Sequence, residues 1–269
     1  MHRPAPATVR RLILVLILVL WELVPRTGLL AELFLPSLSK TLTMLFQNFD
    51  EYGEALLVTL YEVALAMTIA CGGGILVGAL VGGLAVLRNL LLPVFSSLYA
   101  VPIVILYPIF TAWFGIGSES KIAFAGVYGF FPVMLSTAAG IQTIDQSFLV
   151  AARSMGASLP QQITRVVIPA SIPTVLSGLR LGGALAIIGV VVSEMLTAAA
   201  GIGYLVSRYR TVLDSPRVFA AILMILVLSV LFDALARWVE RRTLVWQTAG
   251  RRERTSAQGE TMAAAPAAA

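Results

Sequence analysis

The chain has 269 residues, of which 58% are hydrophobic and 12% charged, and its mean hydropathy is +0.90. Soluble domains carry about 25% charged residues, so a water-soluble globule is excluded and the chain reads as an all-α polytopic membrane protein. The net charge of +5 calls for no nucleic acid, because arginine gathered on one side of a bilayer gives the same excess.

A span needs about 20 predominantly apolar residues, and six segments are predicted to cross: 12–30, 56–87, 93–114, 122–141, 174–199 and 218–236. The first is the weakest, being cleanly apolar only over 12–24, before Pro25 and Arg26. Its "VRRLILVLILVL" has the basic start and short apolar run of a signal peptide, but no A-x-A site follows and an uncleaved helix is expected. The second is long enough to tilt or to begin outside the membrane. Its "CGGGILVGALVGG" is not a phosphate loop, since no lysine follows. Gly74, Gly78 and Gly82 are four apart and form a small-residue ridge for close helix packing, which Gly178, Gly182 and Ala186 repeat in the fifth segment.

In the third segment Pro102 and Pro108 break the helix and free carbonyls, a pattern tolerated only against protein or a cavity, which makes the adjoining Tyr107 a pathway candidate. Glu22 and Asp233 each have an arginine four residues on and read as local ion pairs. Glu62 and Glu194 have no such neighbour. A charge in the bilayer costs at least about 2.5 kcal/mol, so these two either face a pathway or gate, or bond to another span. Arg180 either meets anions in the pathway or anchors its helix by snorkelling. With one cysteine, Cys71, and one histidine, His2, no disulfide framework, metal site or histidine triad can be assembled, and no cofactor is expected.

Between the fourth and fifth segments stands a polar interruption, "AARSMGASLPQQITRVVIPASIP". Asp145 is predicted to cap a helix running to about Met155, and Gly156 suits the left-handed position that ends one. Ser158 and Gln161 have capping-box spacing and Pro160 falls in the first turn of a second helix, predicted to stop near Ile168 because Pro169 and Pro173 follow. Spacing alone leaves two readings, a stiff surface loop or a knob that docks on a partner. With the N-terminus inside, 13 of the 19 Lys and Arg fall on the inner side, so both termini and this elbow are expected in the cytoplasm. The tail over 247–269 is predicted to be disordered.

From Val150 the elbow reads V-A-A-R-S-M-G, nine residues, then V-V-I-P ending at Pro169. This resembles the EAA motif of ABC importer permeases, E-A-A-x-x-x-G-x9-I-x-L-P. Ala151, Ala152, Gly156 and Pro169 match, Val166 and Ile168 are conservative, and Val150 stands in place of the glutamate. "WFGIG", "FFPV", "GLRLG", "SEML" and "GIGYL" resemble the branch serving sulfonates, taurine, nitrate and similar small solutes, and the likeness runs from about residue 12 to 246. The resemblance implies a MetI-like type I importer fold, with a permease core over 54–246 and an N-terminal helix and periplasmic segment over 1–53. It implies a coupling helix at about 145–169, with Ala151, Ala152, Gly156, Ala157, Ser158, Pro160 and Pro169 seated on a separate ATPase. The expected partners are two ATP-binding cassette subunits, a second permease copy, a periplasmic solute-binding protein and inner-membrane lipid. The chain itself would hydrolyse nothing. A gradient-driven carrier using Glu62 and Glu194 as relays is the rival reading, and an intramembrane enzyme a third.

Overall fold

The computed structural model describes residues 6–197 and 199–243, and every regular element among them is helical. In chain order these are α1 (Pro6–Arg26), α2 (Leu38–Gln47), α3 (Phe49–Gly83) and α4 (Ala85–Tyr99). A 3-10 turn, Ile103–Leu106, leads into α5 (Tyr107–Phe114), followed by α6 (Ser118–Gln142) and α7 (Gln146–Ser154). Then come α8 (Leu159–Gln162), a π turn (Ile163–Val167), α9 (Ile168–Thr197), α10 (Ile202–Thr211) and α11 (Ser215–Thr243). The tail over 247–269 and His2 lie outside the described residues.

Four stretches are long and apolar enough to cross a bilayer: α3, α6, the continuous run Leu159–Thr197, and α11. The expected third span is a broken one. Its two halves, Ala85–Tyr99 and Ile103–Phe114, meet at 85°, because Pro102 offers no N–H and bars Val101 from helical geometry. In α1 only 12–21 is free of charge, between Arg10 and Arg11 at one end and Glu22 and Arg26 at the other. Its leucines, valines and isoleucines are about half exposed, as a helix facing lipid requires. At 1.5 Å per residue, the 35 residues of α3 extend about 52 Å, well beyond a hydrocarbon core of about 30 Å. The segment boundary expected at 53/54 falls inside this helix.

The core is a three-helix bundle of α3, α6 and α9 with α6 at its centre. Of the spans' most apolar windows, that of α6 is 56% buried against 11% for α11, which faces outward. Lipid tails are as apolar as leucine, so helices associate in lipid through close van der Waals contact rather than hydrophobic exclusion. Both glycine ridges meet this requirement on the same helix. A Cβ at Gly74, Gly78 or Gly82 of α3 would lie 2.7 Å from Val133 Cβ, 2.5 Å from the Met134 carbonyl or 2.8 Å from Ala138 Cα. From the other side, Gly178 and Gly182 of α9 press on Pro132, Ser136, Val133 and Gly129 of α6.

One expectation is corrected. The helix after the elbow does not stop near Ile168; it runs on as one 39-residue helix, Leu159–Thr197. The π turn resolves the conflict: the Ile168 N–H bonds the Ile163 carbonyl five residues back, and the wider turn accommodates Pro169, which would otherwise crowd the carbonyl of residue 165. The stretches between the first and second and between the fifth and sixth expected segments also hold helices, α2 and α10. Helix α10 is too short to span, yet its Ile202, Leu205, Val206 and Tyr209 are buried against Tyr52, Ala55, Ala220 and Ala221.

Candidate functional site

The elbow at one end of the bundle is held by backbone chemistry that its residue types require. Asp145 accepts the Ser147 N–H at 2.9 Å and starts α7; that bond holds its carboxyl below the ordinary carboxylate range. Gly156 ends the helix at φ +76°. Its N–H reaches the Arg153 carbonyl at 2.9 Å and that of Ala157 the Ala152 carbonyl at 3.0 Å, the paired bonds of a Schellman cap. The Ser158 N–H donates to Gln161 Oε1 at 2.8 Å and opens α8, with Pro160 in its first turn.

Gln162 then ties the two arms together. Its amide donates to the Ala157 carbonyl at 2.8 Å and its Oε1 accepts from Arg153 Nε at 3.3 Å. It is the one polar side chain of the elbow that is buried, and motif spacing gave no sign of it. Ala152 is buried beside it, whereas Ala151, Gly156, Ser158 and Pro160 are exposed, Ala157 and Pro169 half-buried. Around them Phe148, Val150, Met155 and Leu159 present bare apolar side chains, Met155 at 81% exposure. The elbow is therefore a rigid, greasy protrusion of a polar segment. Replacing Gln162 by leucine removes both clamping bonds, each worth about 1 kcal/mol. Amide hydrogen exchange over 151–162 should rise about fivefold or more, with the spans unchanged.

At the far end of the bundle the two unexplained carboxylates are buried, and their partners come from other helices. Glu62 of α3 is 0% exposed; it pairs with Lys121 and accepts the Ser118 hydroxyl at 2.7 Å, both from the first turn of α6. A carboxylate there also meets the positive end of that helix. Its Oε2 has no hydrogen-bond partner among the described residues. Glu194 of α9 accepts the Thr59 hydroxyl at 2.8 Å and the Gly203 N–H at 2.8 Å, while Thr59 Oγ1 accepts the Ile202 N–H at 2.9 Å. The first amides of α10, which no helix can satisfy internally, are thus capped by side chains of α3 and α9. Gly201, at φ +102°, is the residue this arrangement demands, since a Cβ there would strike the Glu194 carboxylate.

The other pathway candidates are also held within the chain. Tyr107 is buried on Phe124, ring centroids 5.1 Å apart, and shares a 2.5 Å hydrogen bond with Thr197. Arg180 does not simply snorkel: its Nε donates to Asp233 of α11 at 2.7 Å, and Asp233 also holds Arg237. The local pair read from the sequence is thus part of a bridge between α9 and α11. Among the described residues no cluster of three His, Cys, Asp or Glu could hold a metal.

Comparison with known proteins agrees with this architecture. A solved inward-facing structure of the MetNI methionine ABC transporter superposes with a TM-score of 0.60 at 17% identity, covering 75% of this chain and 98% of that one. This likeness concerns the fold. The aliphatic sulfonates transport permease protein SsuC of Bacillus subtilis is 31% identical over 234 residues, 86% of this chain and 84% of its own. The taurine transport system permease protein TauC of Escherichia coli is 31% identical over 240 residues, 87% of each. Residues 74–245 match the family described as the inner membrane component of binding-protein-dependent transport systems. A multi-pass helical chain with an elbow between α6 and α9 and with these relatives belongs to that family: it is an ABC importer permease subunit.

Proposed function

We propose that two copies of this chain form the membrane pathway of an importer for a small sulfonate-, taurine- or nitrate-like solute, and that the elbow couples them to two ATPase subunits. The observation that carries the coupling assignment is the elbow's combination of locked backbone and bare apolar surface. A lever must be stiff to transmit displacement, and the Schellman cap, the Gln162 clamp and the continuous helix behind it supply that stiffness. Ala151, Ala152, Gly156, Ala157, Ser158, Pro160 and Pro169 are the elbow positions assigned to this contact. The solute class rests on the sulfonate and taurine relatives. With the elbow in the cytoplasm, both termini lie on that side of a bacterial inner membrane, and a periplasmic binding protein delivers the solute to the opposite face.

Glu62 and Glu194 we assign to bracing rather than to conduction. Glu194 has both oxygens engaged, by Thr59 and Gly203, and Glu62 has Oε1 engaged by Lys121 and Ser118. A carboxylate held this way is a poor shuttle, and an anionic solute would be repelled by a free one. The bracing assignment also covers Tyr107 and Arg180, bonded to Thr197 and Asp233.

Gly156 gives the test its discrimination. A Cβ added there meets nothing within 4 Å in this chain, so a large side chain points outward, into the volume the ATPase would fill. Purification of the tagged chain from its own detergent-solubilised membranes should bring down an ATPase subunit in equal amount. Gly156→Trp should abolish that recovery, while Gly156→Asn, small and tolerant of positive φ, should retain it. Equal recovery with both variants, or none with the native chain, overturns the coupling assignment.

A further inference from the structure

We propose that the groove between α9 and α11 is a binding site for one phospholipid with a primary-amine headgroup, in the leaflet on the elbow's side. The groove has a volume of about 380 Å³. Its deep walls are Leu181, Ala184, Ile187, Ile188 and Phe232, and its mouth carries Ser177, Arg180 and Asp233. From Ser177 to Ile188 is 11 residues of α9, about 16 Å of helix. That is half of a hydrocarbon core of about 30 Å, the depth one acyl chain occupies.

The mouth selects the headgroup by charge. Arg180 holds Asp233 through Nε and Nη2, and its Nη1, 4.0 Å from Glu240, keeps N–H donors to offer. Arg237 lies on the other side of Asp233. Glu240, two turns further along α11, is half-buried, and that 4.0 Å approach to Arg180 is its one ionic contact among the described residues. The four groups sum to zero charge, with spare donors beside a spare carboxylate. A purely anionic headgroup would leave Glu240 repelled, whereas a phosphate with an ammonium a few ångströms away satisfies both. A trimethylammonium headgroup has no N–H to donate to Glu240, so phosphatidylcholine is the discriminating comparison.

The site is independent of which solute is carried, and the experiment keeps the two apart. The full chain, with the partners it brings from the membrane, is exchanged into detergent micelles containing equal amounts of phosphatidylethanolamine, phosphatidylcholine and phosphatidylglycerol. Native mass spectrometry then counts the lipids retained per copy. One phosphatidylethanolamine per copy is expected, preferred about fivefold over phosphatidylcholine, the value of one further hydrogen bond. Glu240→Lys, on a half-exposed position that should not disturb folding, should erase that preference. Equal retention of the three lipids, no retention, or a preference that survives Glu240→Lys overturns the proposal. So does displacement of the lipid by added taurine, which would place the groove on the pathway. Loss of the two-copy assembly in Ser229→Phe would instead show a second copy seated there and equally overturn it.

Discussion

Lys121→Met is expected to lower stability by about 3–5 kcal/mol, the usual cost of removing one partner from a buried ion pair. In a chain of this size that is a fall of roughly 10 °C in the unfolding midpoint in detergent. The cause is what the substitution leaves behind. Glu62 is 0% exposed and Lys121 5%, so no water compensates the carboxylate once the ammonium is gone. The Ser118 hydroxyl alone faces it, and Oε2 already lacks a partner. The prediction concerns the pair, so the decisive measurement is a double-mutant cycle. Glu62→Gln with Lys121→Met removes both charges, keeps an acceptor for Ser118 and should recover most of the loss. If the single variant unfolds within about 2 °C of the native chain, the pair is hydrated and contributes no more than a surface bridge. If the double variant is no better than the single, the cost lies in lost packing of the lysine stem and not in the stranded charge.

The carboxylates mark where sequence reasoning reached its limit. Their presence in apolar runs was legible, as was the need for a partner, because a charge in lipid has few options. The partners were not, since Lys121 is 59 residues from Glu62, and Gly203 meets Glu194 only after the chain reverses at Gly201. Helix α10 was missed for the same reason: its 10 residues are too few to register as a span, and its caps come from α3 and α9. The elbow was more legible because it is local. Its first cap, its glycine turn and its second start are decided by residues within a few positions of each other, and each lies where the sequence placed it. What failed there was the rule that proline ends a helix, since a π turn admits Pro169 at the cost of one widened turn.

The glycine ridge gives the second large effect, and here the structure separates residues that sequence cannot. Glycine in a helix is less favourable than alanine by about 0.5–1 kcal/mol, so propensity alone predicts that every Gly→Ala change in α3 is stabilising. Gly72 should obey: nothing lies within 4 Å of the added Cβ, and Gly72→Ala should raise the unfolding midpoint slightly. Gly78→Ala should do the opposite. Its Cβ would sit 2.5 Å from the Met134 carbonyl and 2.7 Å from Thr137 Cβ, and backbone cannot yield as a side-chain tip can. The α3 and α6 axes must separate, which sacrifices dispersion contacts along the whole seam, the main attraction between helices in lipid. A single such wedge costs about 1–3 kcal/mol net, and the joint Gly74, Gly78 and Gly82 replacement should prevent recovery of folded protein from the membrane. The comparison of Gly72→Ala with Gly78→Ala in the same helix holds propensity and chain length constant. Opposite signs would establish that close approach to α6 determines the stability of this bundle. Equal signs would mean that α3 and α6 can slide past a methyl group without penalty, a looser core than glycines at every fourth position require.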